Sequence, residues 1–232
     1  MTLQGKIVAV TGGFGQLGQA VVRAVLDAGA QVAGLDRVRT PTDATLPAGA
    51  FVLGEIDLAE PDAAVRALEQ VAVRLGGLDA LVNVAGTFRW ETLEKGNLDT
   101  WDLLYRVNLR SAVSVSLAAL PHMTKRGGGR IVNIGAGAAV AKASAGMGAY
   151  TASKSGVLKL TEALAEEVKD RGITVNAILP SIIDTPANRA DMPKADFSRW
   201  VAPRDIANVI VFLLSDEARA VTGALIPVSG RV

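Results

Sequence analysis

Residues 6–28 constrain the fold more tightly than any other stretch. KIVAV at 6–10 is a short β-branched run and reads as a buried strand. TGGFGQLG at 11–18 is a glycine-rich turn, and 19–28 takes up a helical period that ends at Gly29. Strand, glycine turn and helix in this order form a cradle for an anion. Small residues let the backbone approach a pyrophosphate, whose charge sits at the positive end of the following helix. Gly12, Gly15 and Gly18 suit this, with Phe14, Gln16 and Leu17 as the other turn residues. The competing reading is a plain tight turn, since the chain holds 24 glycines.

The rest of the chain repeats the alternation. Strands are expected at 31–35, 51–53, 78–84, 130–134, 173–179 and 224–228. Helices are expected at 61–75, 98–123, 149–170 and 203–215, with loops at 41–49, 135–148 and 181–202. Ala64, Val65, Leu68, Val71, Ala72 and Leu75 make one helical stripe. Such alternation predicts an α/β fold: a single-domain, Rossmann-like, doubly wound parallel sheet of about seven strands with helices on both faces. The chain has 232 residues, 50% hydrophobic and 20% charged, enough for a large core. The net charge of +1 gives no reason to expect nucleic acid or an acidic membrane surface. Cysteine is absent, which excludes disulfides and thiolate chemistry, and a lone histidine, His122, argues against a histidine-rich metal site. No leader pattern opens the chain, and no apolar run reaches the roughly 20 residues a membrane span needs. The expectation is a cytoplasmic protein acting on a small molecule, with no metal.

Two further places carry chemistry. Asp36 closes the second strand, where a carboxylate accepts hydrogen bonds from ribose hydroxyls and repels a 2′-phosphate. That favours NAD(H), while Arg37 next to it leaves NADP(H) open. Asp57, with Leu58 beside it, is placed to meet the adenine edge or to serve as a helix N-terminal acid. In YTASK, Tyr150 and Lys154 stand four residues apart, one turn along one helix face. A lysine cation there is expected to favour the phenolate and lower the tyrosine pKa, which makes a tunable proton donor.

Taken together these residues resemble the short-chain dehydrogenase/reductase family over essentially the whole chain. TGGFGQLG resembles its cofactor turn, Asn83-Val84-Ala85-Gly86 its NNAG segment, Asn108 its helix asparagine, YTASK its YxxxK, and Pro180-Ser181-Ile182-Ile183-Asp184-Thr185 its PGxxxT segment. The resemblance implies that Tyr150 is the general acid–base and that Lys154 tunes it and holds the nicotinamide ribose. Asn108 keeps a water in the proton relay. Thr185 holds the carboxamide, Pro180 and Ile183 line the ring, and Ala85 and Gly86 pass beneath the cofactor, beside Asn83. It also implies a homodimer or homotetramer through the two long helices. Ser111, Ala112, Val115 and Ala119 on one, and Val157, Leu160 and Leu164 on the other, would meet partner copies or simply cover the sheet.

Three departures stand out. The middle glycine falls early, at Gly15, with Gln16 in its usual place; Ser181 replaces a glycine; and IGAGAA at 134–139 lacks the family's catalytic serine. Ser144 is a substitute or a plain loop serine. The dihydropteridine reductase branch of the family lacks the same serine, and 136–154 and 179–200 resemble it. That points to an NADH-dependent reductase of a planar quinonoid substrate, with Trp90 stacking on it or packing in its loop. The alternatives are an ordinary ketone/alcohol oxidoreductase and a non-catalytic NAD(H) sensor. Trp101 and Trp200 read as packing residues, and His122 as a helix-end cation.

Overall fold

The computed structural model describes residues 1–40 and 46–232. Residues 41–45 of the 41–49 loop lie outside them, and Gly49, with φ +96°, sits in a turn just before β3. Seven strands make one parallel sheet: β1 (Ile7–Thr11), β2 (Gln31–Leu35), β3 (Phe51–Leu53), β4 (Ala80–Asn83), β5 (Gly129–Ile134), β6 (Ile173–Pro180) and β7 (Leu225–Val228). Their order is β3-β2-β1-β4-β5-β6-β7. Direction of winding reverses between β1 and β4, which pair with Thr11 opposite Asn83. The crevice at such a reversal, outside the carboxyl ends of the strands, is where ligands bind in open α/β sheets.

The helices are α1 (Gln16–Asp27), α2 (Pro61–Leu75), α3 (Leu98–Leu104), α4 (Ser111–Lys125), α5 (Gly148–Val168), α6 (Pro186–Asp191) and α7 (Pro203–Leu214). Each central strand is buried on both faces, so its apolar run is continuous and its side chains alternate between two cores. Val8 and Val10 of β1 pack with Leu17, Val21, Val25, Ile206 and Ile210 of α1 and α7. Ile7 and Ala9 pack on the other face with Leu68 and Val71 of α2, Val115 and Ala119 of α4 and Leu164 of α5. Fully burying one such side chain stabilises the fold by about 1.5–3 kcal/mol before chain entropy is counted. No helix among the described residues is long and apolar enough to cross a membrane.

Several expectations change. The helix expected at 98–123 is interrupted: between α3 and α4, Tyr105–Arg110 form a π-helical turn. Wider turns of this kind shift the register of everything after them and are frequent at functional sites. Residues 181–202 are not irregular throughout. Thr185 caps α6 by accepting from the Asn188 N–H at 3.2 Å, and Pro186 follows at the first helical position. The face proposed to meet partner copies is largely internal. Ser111, Ala112, Val115, Ala119, Val157 and Leu164 are buried within the chain itself. The sheet needs an apolar cover, and Val115, Ala119 and Leu164 are part of it. The exposed large residues of the α3–α4 stretch are Leu98, Trp101, Tyr105 and Leu117. Trp200 is buried, whereas Trp101 is partly exposed and lies beside Gly148.

Candidate active site

The carboxyl ends of β1, β2, β4, β5 and β6 deliver their turns to one crevice. At β1, Gly12 has φ +63°, and a Cβ on it would come within 2.9 Å of Ala85 in the turn after β4. A Cβ on Gly13 would come within 2.9 Å of Gly34 on β2. One on Gly18 would collide with the Gly12 carbonyl. These three positions let α1 start hard against the sheet. Gly15, expected to be the middle member, is exposed, and a Cβ there would meet only the Gly12 carbonyl at 3.5 Å, an ordinary contact. Gly15 is instead the N-cap of α1, with no side-chain cap and no acidic residue in the first turn. The first N–H groups of α1 are thus left without a side-chain partner, beside Gly12, Gly15 and Gly18, which carry no Cβ, and a pyrophosphate fits there.

Asp36 lies beside this turn. One carboxylate oxygen accepts from the Phe14 N–H at 3.0 Å and the other from the Val38 N–H at 3.2 Å. Both bonds orient the carboxylate, and neither exhausts its lone pairs. Arg37 is exposed next to it. Asp57 accepts from the Ala59 N–H at 3.1 Å and from Arg106 at 2.9 Å. Burial works to raise its pKa, but Arg106 and the Ala59 N–H outweigh this and hold it below the usual carboxylate value. Leu58 and Leu17 are core residues, Phe14 is buried, and Gln16 is exposed at the start of α1. Asn83 also faces inward. Its amide donates to Ser116 Oγ at 3.1 Å and to Asn133 Oδ1 at 2.8 Å, tying β4 to α4 and β5. A buried primary amide has to find such partners, so its side chain serves the interior and not the crevice.

Past Asn83 the chain turns into the crevice. The Ala85 N–H donates to Thr11 Oγ1 at 3.1 Å. A Cβ on Gly86 would lie 3.1 Å from Asn108 Oδ1 and 3.2 Å from Lys154 Nζ, so all three meet at one point. Asn108, from the π turn, holds the Thr87 backbone at both ends: Oδ1 accepts from its N–H at 2.7 Å and Nδ2 donates to its carbonyl at 3.0 Å. Nδ2 also donates to Ser153 Oγ at 2.9 Å, and Ser153 donates to the Tyr150 carbonyl at 2.8 Å. Asn108 thereby couples the segment after β4 to the helix that carries Tyr150 and Lys154.

Lys154 is 5% exposed, and Nζ donates to the Ile134 carbonyl at 2.7 Å. An ammonium has three donors, so two remain in the crevice beside Gly86, where they fit ribose hydroxyls. Burial pushes Lys154 down to about 8 and Tyr150 up to about 12. The second shift reverses the expected lowering of the tyrosine pKa. The ring is half-buried against Phe88, ring centroids 5.0 Å apart, and desolvation of its anion is the cause. Without the dinucleotide, Tyr150 is thus a weaker acid than a phenol in water.

The stretch after β5 offers no hydroxyl. Gly135 and Ala136 are buried there, and Ser144 stands exposed in the loop before α5. Trp90 packs on that loop, its indole N–H donating to the Ala145 carbonyl at 3.0 Å. Pro180 ends β6 and Ile183 bridges to Val201. Gly13, Thr11, Ser153, Thr87 and Phe88 carry contacts that sequence reading did not single out. Gly13 and Thr11 were visible inside the glycine-rich stretch, but the others matter only through the pairing of distant segments.

Comparison with known proteins adds a decisive observation. The short chain dehydrogenase family profile matches residues 6–196. The chain belongs to the short-chain dehydrogenase family. As a member it is an NAD(P)-dependent oxidoreductase. It is 35% identical to a 3-oxoacyl-(acyl-carrier-protein) reductase of Pseudomonas aeruginosa, covering 99% of this chain and 98% of the relative. It is 31% identical to a D-beta-hydroxybutyrate dehydrogenase of Rhizobium meliloti, covering 97% of each. A short-chain dehydrogenase/reductase structure from Burkholderia xenovorans superposes with a TM-score of 0.89 at 31% identity, covering 98% of this chain and 96% of that one. These short-chain dehydrogenase relatives favour the ketone/alcohol alternative over the quinonoid pteridine reading. The local likeness to dihydropteridine reductase rests on the missing serine and on loop composition, whereas whole-chain similarity runs to the reductases and dehydrogenases of oxoacyl and hydroxyacyl compounds.

Proposed function

We propose that this short-chain dehydrogenase interconverts a ketone and a secondary alcohol, with Tyr150, Lys154 and Asn108 as its working residues and NADH as its preferred cofactor. The observation that carries the proposal is the meeting of Asn108 Oδ1 and Lys154 Nζ at Gly86, with Tyr150 one helical turn before Lys154 on α5. When bound, the dinucleotide supplies or accepts the hydride. Its pyrophosphate would lie on the first turn of α1 over Gly12 and Gly18, its adenosine ribose on Asp36, and its nicotinamide end between Ala85, Gly86, Pro180, Ile183 and Thr185. The protein's own part is proton chemistry. Tyr150 gives its phenolic proton to the carbonyl oxygen as that oxygen gains charge. Lys154, anchored on Ile134, stabilises the phenolate left behind. Asn108 holds Thr87 and Ser153, and through them the wall and the helix on either side of the phenol.

With no hydroxyl at 134–139, Tyr150 is the one protein donor this reading gives the oxyanion. Losing a second donor typically costs about a hundred- to a thousandfold in rate, so low rates are expected on unactivated ketones. The test is steady-state reduction of simple ketones, 3-oxoesters and a quinonoid dihydropterin. Turnover confined to the dihydropterin would overturn the ketone assignment. For the cofactor, Asp36→Asn should move the NADPH:NADH ratio of kcat/KM toward NADPH by at least about tenfold, because the variant removes the charge that repels a 2′-phosphate. An unchanged ratio would mean that Asp36 does not face the ribose. Pairing with further copies of the chain, if through the same long helices, uses their outward residues Trp101, Tyr105 and Leu117.

A further inference from the structure

The segment after β4 carries two large aromatic side chains that the core does not absorb: Phe88 is 51% exposed and Trp90 62%. Both are held against one stretch, residues 145–150. The Phe88 ring meets the Tyr150 ring at 83°, centroids 5.0 Å apart. The Trp90 ring lies so close over Gly146 that any Cβ there would collide with it, and Gly146 has φ +76° besides. Glycine is therefore required at 146 both for the backbone and for the indole. Glu91 locks the segment. Its N–H donates to the Gly146 carbonyl at 2.9 Å, and its carboxylate accepts from the Asn97 N–H at 3.1 Å and the Thr100 hydroxyl at 2.9 Å. Asn108 holds Thr87 from the other side. Two rings are thus fixed yet left open to solvent, Phe88 against the Tyr150 ring and Trp90 over Gly146, four residues before it in the chain. Large rigid apolar area next to a reacting group is area that a substrate covers.

We infer that Phe88 and Trp90 form the specificity wall of the pocket, and that the substrate carries an aryl ring bonded directly to its carbonyl carbon. This rests on the ketone/alcohol reading and names the substrate class within it. The carbonyl has to reach Tyr150, whose ring centre is only 5.0 Å from that of Phe88. A group on the wall is therefore separated from the reacting oxygen by very few bonds. Ring pairs gain attraction beyond the area they bury when they meet edge-on or offset. An aryl group continues the Phe88–Tyr150 pairing, whereas an alicyclic group of equal size gains area alone. The difference is about three- to tenfold in binding.

The test compares 1-phenylethanone with 1-cyclohexylethanone in the wild type and in Phe88→Leu and Trp90→Leu. Each variant should lower the aryl:alicyclic ratio of kcat/KM by about three- to tenfold. Intrinsic reactivity cancels in the change of ratio, and so does any disturbance of Tyr150, which both ketones use. A ratio that neither variant moves would overturn the wall. If neither ketone turns over, the ketone/alcohol reading is decided by the 3-oxoesters. The wall is then judged by binding of 1-phenylethanol against 1-cyclohexylethanol to the cofactor-loaded protein, measured by saturation-transfer NMR. Equal preference in wild type and Phe88→Leu would again overturn it.

Discussion

Tyr150→Phe is expected to reduce turnover by at least about a hundredfold while leaving cofactor affinity within about twofold. General acid catalysis by a placed side chain is worth about a hundred- to ten-thousandfold. Tyr150 is the donor in the proposed reaction, a phenol that is protonated at neutral pH and one helical turn from Lys154. Phenylalanine preserves the ring, its edge-on contact with Phe88 and the helix around it, so the change removes one hydroxyl and little else. Steady-state rates beside fluorescence titration with NADH check both halves. Turnover near the wild-type value would remove Tyr150 from the mechanism.

Lys154→Met should act in opposite directions on activity and stability. Activity should fall by about a hundredfold or more, because the cation beside the developing phenolate is gone. Stability at pH 7 should rise by about 1–3 kcal/mol, because a buried ammonium is costly and burial holds this one near 8 instead of 10.5. Lys154 has a folded pKa below its unfolded one, so between about pH 8 and 10.5 the unfolded chain holds a proton that the folded chain has released. Wild-type stability therefore climbs with pH through that window, and the full penalty applies below it. Tyr150 acts in the opposite sense from about pH 10 upward, where the unfolded phenol ionises and the folded one does not. Urea melts at pH 7 and 9.5 should show the climb in the wild type and its loss in the variant. A variant less stable than the wild type at pH 7 would show that the ammonium contributes more through its bond to Ile134 than its burial costs.

The architecture was legible because its signals are local. Continuous apolar runs such as KIVAV mark strands buried on both faces, and α2 buries Ala64, Ala67, Leu68 and Val71 at helical spacing, while Val65 of the expected stripe is exposed. Thr185-Pro186 is a readable helix start within 181–202, but the helix it opens is only six residues long, too short to show a period. The π turn at Tyr105–Arg110 was not readable, since no local preference separates it from the α-helix on either side. Asn83 illustrates a second limit. A buried asparagine after a strand looks the same in sequence whether its amide faces a crevice or, as here, Ser116 and Asn133. The two readings of the long-helix faces stay unresolved in sequence for a related reason. Small and apolar residues cover the sheet and fill interfaces alike, and only the position of the sheet tells which.

By itself, the order of residues settled the doubly wound sheet, the glycine turn between β1 and α1 and the placing of Tyr150 and Lys154 one turn apart on one helix, because each depends on neighbours a few positions apart. Tertiary structure alone decided that burial raises the Tyr150 pKa where the neighbouring lysine was expected to lower it, that Gly13 and not Gly15 lets β1 and β2 close, and that Phe88 stands edge-on to the Tyr150 ring. Those outcomes depend on burial and on contacts between segments far apart in the chain, and dielectric and steric fit have no counterpart in residue spacing.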